Sequence, residues 1–229
     1  MNLLKRYGFE RRGTKGNPEN QESVYVKLMT AVGDDLCKNF PFVHTKGKNK
    51  YILSIYPQYH TSLFPDSILD TEQRNRDALI KDVSHTNSIH KVYLCKMKDA
   101  EQLVSGDILV IYRTKDAQGS AYYRSVATSI CVVEEVKRPS DFDNLNEFIK
   151  YTNAYSIFEA DILKKYYKEP KAVIIKMTYN AAFNHRLINK ELVEEVGLAP
   201  LYWGFFQLTN EQFYDIVTRG QIDESIIVD

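Results

Sequence analysis

Several features are scarce or missing in this 229-residue sequence, and each absence closes off a class of function. No apolar run approaches the roughly 18 residues that a bilayer-spanning helix needs, and no basic-then-apolar segment opens the chain. A cytoplasmic protein with no membrane partner is therefore expected. Cysteine is sparse: Cys37, Cys95 and Cys131 are odd in number, far apart and never in a Cys-x-x-Cys pair, which argues against a disulfide framework and against a zinc site. The histidines His44, His60, His85, His90 and His185 include no pair at one-turn helical spacing that would present two ligands to one metal. Neither a metal nor another cofactor is expected. The Gly-x-Ser-x-Gly elbow of serine hydrolases is absent. So is any excess of charge: thirty Lys and Arg balance thirty Asp and Glu, so nucleic-acid binding would have to come from a local patch rather than bulk charge.

What is present suits an ordinary globular chain, 44% apolar and 26% charged, with room for one large domain or a domain plus an appendage. Sixteen tyrosines stand against a single tryptophan, and tyrosine serves both half-buried strands and base-stacking surfaces. Residues 3–7 read as a helix end and 24–29 as a strand, joined by the turn-rich "RRGTKGNPENQE". Residues 34–50 read as a loop or short helix. "YILSIYP" reads as a strand closed by Pro57, followed by a connector that docks Leu63 and Phe64 in the core. A short surface helix is expected over 71–83.

"SIHKVYLCK", "DILVIYRT" and "RSVATSICVVEEVKR" are dense in Val, Ile and Tyr and are divided by turn signals, so they read as neighbouring strands of one antiparallel sheet or barrel. Helices over 141–151 and 157–167 follow, the second with a Ser156-x-x-Glu159 capping box. A strand over 172–179, a helix over 189–196 stopped by Gly197, and a last helix opened by Thr209-x-x-Gln212 complete the pattern. The acidic tail is expected to fray. This order is α+β, with a small barrel-like sheet and peripheral helices.

Two stretches resemble known families. "LLKRYGFERRGTKGNPENQESVYVKLM" resembles the closing segment of the GNAT acetyltransferase fold, a last helix followed by two final strands. "IYPQYHTSLFPD", "NSIHKVYLCKMKDAEQLVSGDILVIYRT", "YSIFEADILKKYY" and "LTNEQFYDIV", in that order, look like the PUA-like domain, related to EVE and ASCH modules, that follows a GNAT domain in a group of bacterial proteins. The resemblance implies a PUA-like pseudo-barrel of mainly antiparallel strands with peripheral helices, and the binding of RNA or modified bases. It divides the chain into a GNAT C-terminal remnant over 1–30, a linker over 31–50, a PUA-like domain over 51–222 and an acidic tail over 223–229.

Acetyl transfer by this chain alone fails on physical grounds. Cradling the pyrophosphate of acetyl-CoA takes a glycine-rich turn at a helix N-terminus, and no Gly-x-Gly occurs. The position where the family places a general-acid tyrosine aligns with Leu4, which has no proton to give.

The expected function is a non-catalytic nucleic-acid-binding module, for RNA or modified DNA. Asn87, Ile89, Lys91 and Tyr93 share one strand face. Tyr112 and Arg113 are neighbours on opposite faces, so at most one enters any given pocket. Tyr112, Tyr155 or Trp203 would stack a base, Asn87 or Gln207 would read its edge, and Arg113 or Lys91 would meet phosphate. Lys46, Lys48 and Lys50 could track a backbone. Three other readings compete. The chain could be a truncated or split GNAT-family N-acetyltransferase whose acetyl-CoA site is missing here. It could be an interaction scaffold whose protein partner pairs with the open edge of the N-terminal fragment. Or it could be an ASCH-like amidohydrolase using a pair formed by Lys91 with Glu134 or Glu135.

Overall fold

A computed structural model describes residues 3–30, 33, 35–67 and 88–229. Asn87, His85 and the helix expected over 71–83 lie outside the described residues.

The chain opens with one helical turn, α1 (Leu3–Arg6), and a hairpin of β1 (Glu10–Lys15) and β2 (Glu22–Val26). The polar "RRGTK" stretch, expected to be connection, is thus a strand: hairpin hydrogen bonding holds it extended even though neither face is buried. Gly8 separates helix from hairpin at φ +80°, and a Cβ there would sit 2.2 Å from the Cys37 carbonyl oxygen, so only glycine allows this approach. Next come α2 (Leu36–Asn39), capped by Asp35, and β3 (Val43–His44), whose Val43 is fully buried. The segment read as a linker therefore contributes to the core.

The main body follows as β4 (Lys50–Ile55), α3 (Pro57–Leu63), β5 (His90–Cys95), β6 (Ile108–Arg113), α4 (Ala121–Arg124), β7 (Val126–Lys137), α5 (Leu145–Asn153), α6 (Ala160–Tyr167), β8 (Val173–Ile188), α7 (Asn189–Glu194), β9 (Phe205–Leu208), α8 (Asn210–Arg219) and β10 (Ile227–Val228). Leu63 and Phe64 dock in the core as expected, but from the end of a helix that Pro57 starts at its first position rather than from a loop. The Ser156 box does not form. Its hydroxyl accepts from the Phe158 amide in a local turn, and the helix begins only after Glu159. The Thr209–Gln212 box does form, with reciprocal bonds of 3.1 and 3.0 Å.

Six strands make one sheet in the order β5-β8-β7-β6-β4-β9. All pairings are antiparallel except β4 with β6, which run parallel. The strand at 90–95 therefore neighbours β8, not β6 as chain order suggested. β7 and β8 are long, and three register shifts between them curl the sheet. One face packs Phe148 of α5 and Leu163 of α6 in a first core. The other packs Leu192 of α7 with Phe213, Ile216 and Val217 of α8 in a second. The tail is anchored rather than frayed: β10 pairs in parallel with β3, and the Thr45 hydroxyl donates to Asp229 Oδ1 at 2.5 Å.

Candidate nucleic-acid interface

The only parallel pair in the six-stranded sheet puts the carboxyl ends of two strands side by side. Ser54 stands opposite Tyr112 and Ile55 opposite Arg113, and the Thr114 amide donates to the Ile55 carbonyl at 3.0 Å. In open α/β sheets, such strand ends are where ligands bind.

On one face of this end Tyr112, buried with Val110 and Ile130, stacks on Trp203 at 5.1 Å and 30°. Its hydroxyl accepts from Asn189 Nδ2 at 2.8 Å, and burial raises its pKa above the usual phenol value. Trp203 is half-buried, meets Phe206 edge to face at 5.6 Å, and its carbonyl takes the Ser54 hydroxyl proton.

On the opposite face Arg113 is 1% exposed, and its Nη1 donates to the carbonyls of Thr114 at 3.4 Å and Arg124 at 3.3 Å. Tyr112 and Arg113 thus take opposite faces, as strand alternation requires. Near Arg113 lies His60 of α3, fully buried, with Nε2 2.8 Å from the Thr128 hydroxyl. The same hydroxyl also lies 3.3 Å from the Ile111 carbonyl and 3.4 Å from the Ser129 hydroxyl. His60 Nδ1 and Thr114 Oγ1 are buried without a hydrogen-bond partner among the described residues. Burial, reinforced by Arg113 and Arg186, pushes the His60 imidazole down to about 3, so the ring is neutral. Beyond Arg113, the Arg124 guanidinium clasps Asp116 and holds its carboxyl down at about 2.

The other expected site residues are placed elsewhere. Tyr93 packs against Phe158 in the first core, where burial raises its hydroxyl. Ile89 is half-buried, and its carbonyl accepts from the Tyr179 amide. Lys91 is 2% exposed, with its ammonium 6.0 Å above the Tyr179 ring, and Tyr179 in turn bonds Ser67. Tyr155 leans on His90 at 5.2 Å. Gln207 is exposed and donates to Asn49 at 3.2 Å.

The three lysines lie at the opposite end of β4 from Ile55 and Arg113. Lys46 is exposed and Lys48 lies over Gly106. Lys50 is buried, and its ammonium is committed to the Thr45 carbonyl at 2.7 Å and Asn210 Oδ1 at 2.8 Å, with burial lowering its basicity. The expected Lys91–Glu134 pair is replaced by a different one. Glu134 accepts from His90 Nδ1 at 2.5 Å and from Lys176 at 2.7 Å. Burial pushes its carboxyl up, but these two partners outweigh that and hold it below the usual value.

The structure therefore places Tyr112, Arg113 and Trp203 at one strand end and, among the described residues, sets the other candidates apart from it. His60 and Thr128 are the members that sequence reasoning missed, because an isolated histidine or threonine carries no spacing signal.

No family model matches the chain, and no curated protein matches it. Among solved structures it is similar to an ASCH protein from Zymomonas mobilis, at 8% identity and a TM-score of 0.48, over 74% of this chain and 94% of that one. It is also similar to human THYN1 in complex with DNA containing 5-methylcytosine, at 9% identity and a TM-score of 0.40, over 77% and 99% of the two chains. A third likeness is to the N-terminal domain of McrB from Thermococcus gammatolerans, bound to m5C DNA, at 11% identity and a TM-score of 0.42, over 76% and 100%.

Proposed function

We propose that this chain is a non-catalytic nucleic-acid-binding module that takes a base of RNA, or a modified base of DNA, at the carboxyl end of β4 and β6. The observation that carries this reading is His60: a neutral, fully buried imidazole whose Nδ1 has no partner among the described residues, near the buried guanidinium of Arg113. A buried polar nitrogen left unpaired costs roughly 1–3 kcal/mol, which a hydrogen-bonding group on a base edge would recover. The buried Arg113 guanidinium is of the type that donates to a carbonyl or ring nitrogen of a base. In this reading Trp203, on the other face of the strand end, stacks a flanking nucleotide. Recognition of an unstacked base by edge hydrogen bonds and aromatic stacking is the usual route to sequence preference in single strands.

With zero formal net charge, non-specific attraction to phosphate is weak, so contacts within the site must supply the affinity.

Fluorescence anisotropy against labelled single- and double-stranded RNA and DNA, with and without modified bases and at two salt concentrations, tests the reading. Saturable binding to one class that survives the higher salt and weakens in His60→Gln and Arg113→Lys supports it. Binding to every ligand alike that vanishes with salt, or no binding, rejects it.

A further inference from the structure

One cluster of titratable groups plays no part in the site above. Cys37 on α2, His90 at the start of β5 and Glu134 on β7 each offer a donor atom, and these atoms lie within 4.8 Å of one another. The residues come from three separate parts of the chain. The register shift between Val133 and Glu135 explains how the carboxylate gets there: it falls at Glu134, and such a bulge re-aims a side chain, here to reach His90 across the intervening β8.

We propose that Cys37, His90 and Glu134 form a three-ligand site for a borderline-soft divalent cation of the zinc class. One thiolate sulfur, one imidazole nitrogen and one carboxylate oxygen are the donor types such ions select, whereas calcium and magnesium require oxygen donors throughout. Three protein ligands leave a fourth position open for water.

The surroundings suit this role. Lys176 holds the second Glu134 oxygen at 2.7 Å, which orients the carboxylate and leaves its other oxygen, now on His90 Nδ1 at 2.5 Å, as the one to turn to a metal. His90 and Glu134 are 6% and 11% exposed, so an ion there would be largely shielded from solvent. Cys37 is half-buried and lines a cavity of about 420 Å³ with Lys5, Phe9 and Arg11, which provides a way in. The helix carrying it is fixed on two sides: Asp35 accepts from the Cys37 amide at 3.0 Å, and Lys27 donates to the Cys37 carbonyl at 3.0 Å. On binding, the cation takes the thiolate sulfur and the thiol proton passes to solvent; the proton on His90 Nδ1 is displaced, to solvent from an imidazolium or to Nε2 in a neutral ring, and the His90–Glu134 hydrogen bond gives way to two metal bonds. The ion would clamp α2, and with it the N-terminal hairpin packed at Gly8, to the main sheet.

Titration of the purified chain with Co²⁺, followed by absorption, reads the site directly. One equivalent should give visible bands of tetrahedral cobalt together with a near-ultraviolet thiolate-to-cobalt band, and Zn²⁺ should displace it. Cys37→Ser should abolish the thiolate band, and Glu134→Gln should weaken binding at least tenfold. Cys95 and Cys131 are buried, so they do not supply the band. Absence of a saturating signal, or a thiolate band that persists in Cys37→Ser, overturns the proposal. A second measurement needs no variant: Zn²⁺ should slow alkylation of Cys37 in the wild-type chain at least tenfold, read by mass spectrometry. Alkylation unaffected by Zn²⁺ also overturns it.

Discussion

The imidazole of His60 and the hydroxyl of Thr128, 68 residues apart in sequence, meet at 2.8 Å inside the protein. Because the ring is neutral in the folded state, at a value pushed down to about 3, while an unfolded chain titrates near 6.5, the unfolded state takes up the proton first as the solution is acidified. The contribution of His60 is thus fully present above about pH 6.5 and is lost as pH falls from there toward 3. Between pH 7 and pH 5 this amounts to about 2 kcal/mol. Urea denaturation at the two pH values should show that loss in the wild type, and a flatter dependence in His60→Gln.

Trp203 is the only tryptophan, so its emission reports on one place. Binding of a nucleic acid at the proposed site should change the intensity or wavelength of that emission, and Trp203→Ala should weaken binding by roughly 1–3 kcal/mol, the worth of one base stacked on an aromatic ring. Titration of the wild type followed by fluorescence, and of the variant by anisotropy, checks both. Tight binding with unchanged emission and unchanged affinity in Trp203→Ala would place the ligand elsewhere.

Lys46 and Lys50 are four residues apart and should behave differently. Replacing Lys50 with Ala removes its bonds to the Thr45 carbonyl and to Asn210 inside the protein, so a loss of about 1–3 kcal/mol in folding stability is expected. Lys46→Ala, at an exposed position, should stay within about 0.5 kcal/mol of the wild type. Chemical denaturation of the two variants separates a structural lysine from a solvent-facing one.

Removing residues 227–229 takes away the pairing of β10 with β3 and the Asp229 contacts to Thr45 and Tyr214. The thermal midpoint should fall by about 2–6 °C, a shift that corresponds to one or two net hydrogen bonds in a chain of this size. A midpoint unchanged by the deletion would show that the tail rests on the body without holding it.

Much of the sheet was legible in the sequence because its strands are dense in β-branched and aromatic residues: "HKVYLC" and "ILVIYR" fall where the pattern put them. Thr209 and Gln212 were legible because a capping box is a local device. Glu10–Lys15 was not, since a polar hairpin strand carries no apolar alternation and is defined by its partner. β8 runs on to Ile188 through Asn184, His185 and Arg186, polar residues that a local reading takes as its end. At the site, Tyr112, Arg113 and Trp203 could be named by type. The stacking of Tyr112 on Trp203, the facing of Arg113 by His60 and the meeting of Cys37 with His90 and Glu134 depend on strand order and on bulges, which only the fold supplies.

The position of β4 between β6 and β9 has a consequence for how the chain is made. β4 is the first strand of the main sheet to be synthesised, yet one of its two neighbours begins at Phe205, 150 residues after Ile55. At roughly 5–20 residues per second, the ribosome takes on the order of 10–30 s to deliver that partner. Throughout that interval the newborn chain carries a run of isoleucine, leucine and tyrosine with an unmated backbone edge, the kind of surface on which nascent chains adhere to one another. Folding to completion therefore waits on the last strand of the sheet, and the passage most exposed to misassembly or to chaperone capture lies before residue 205.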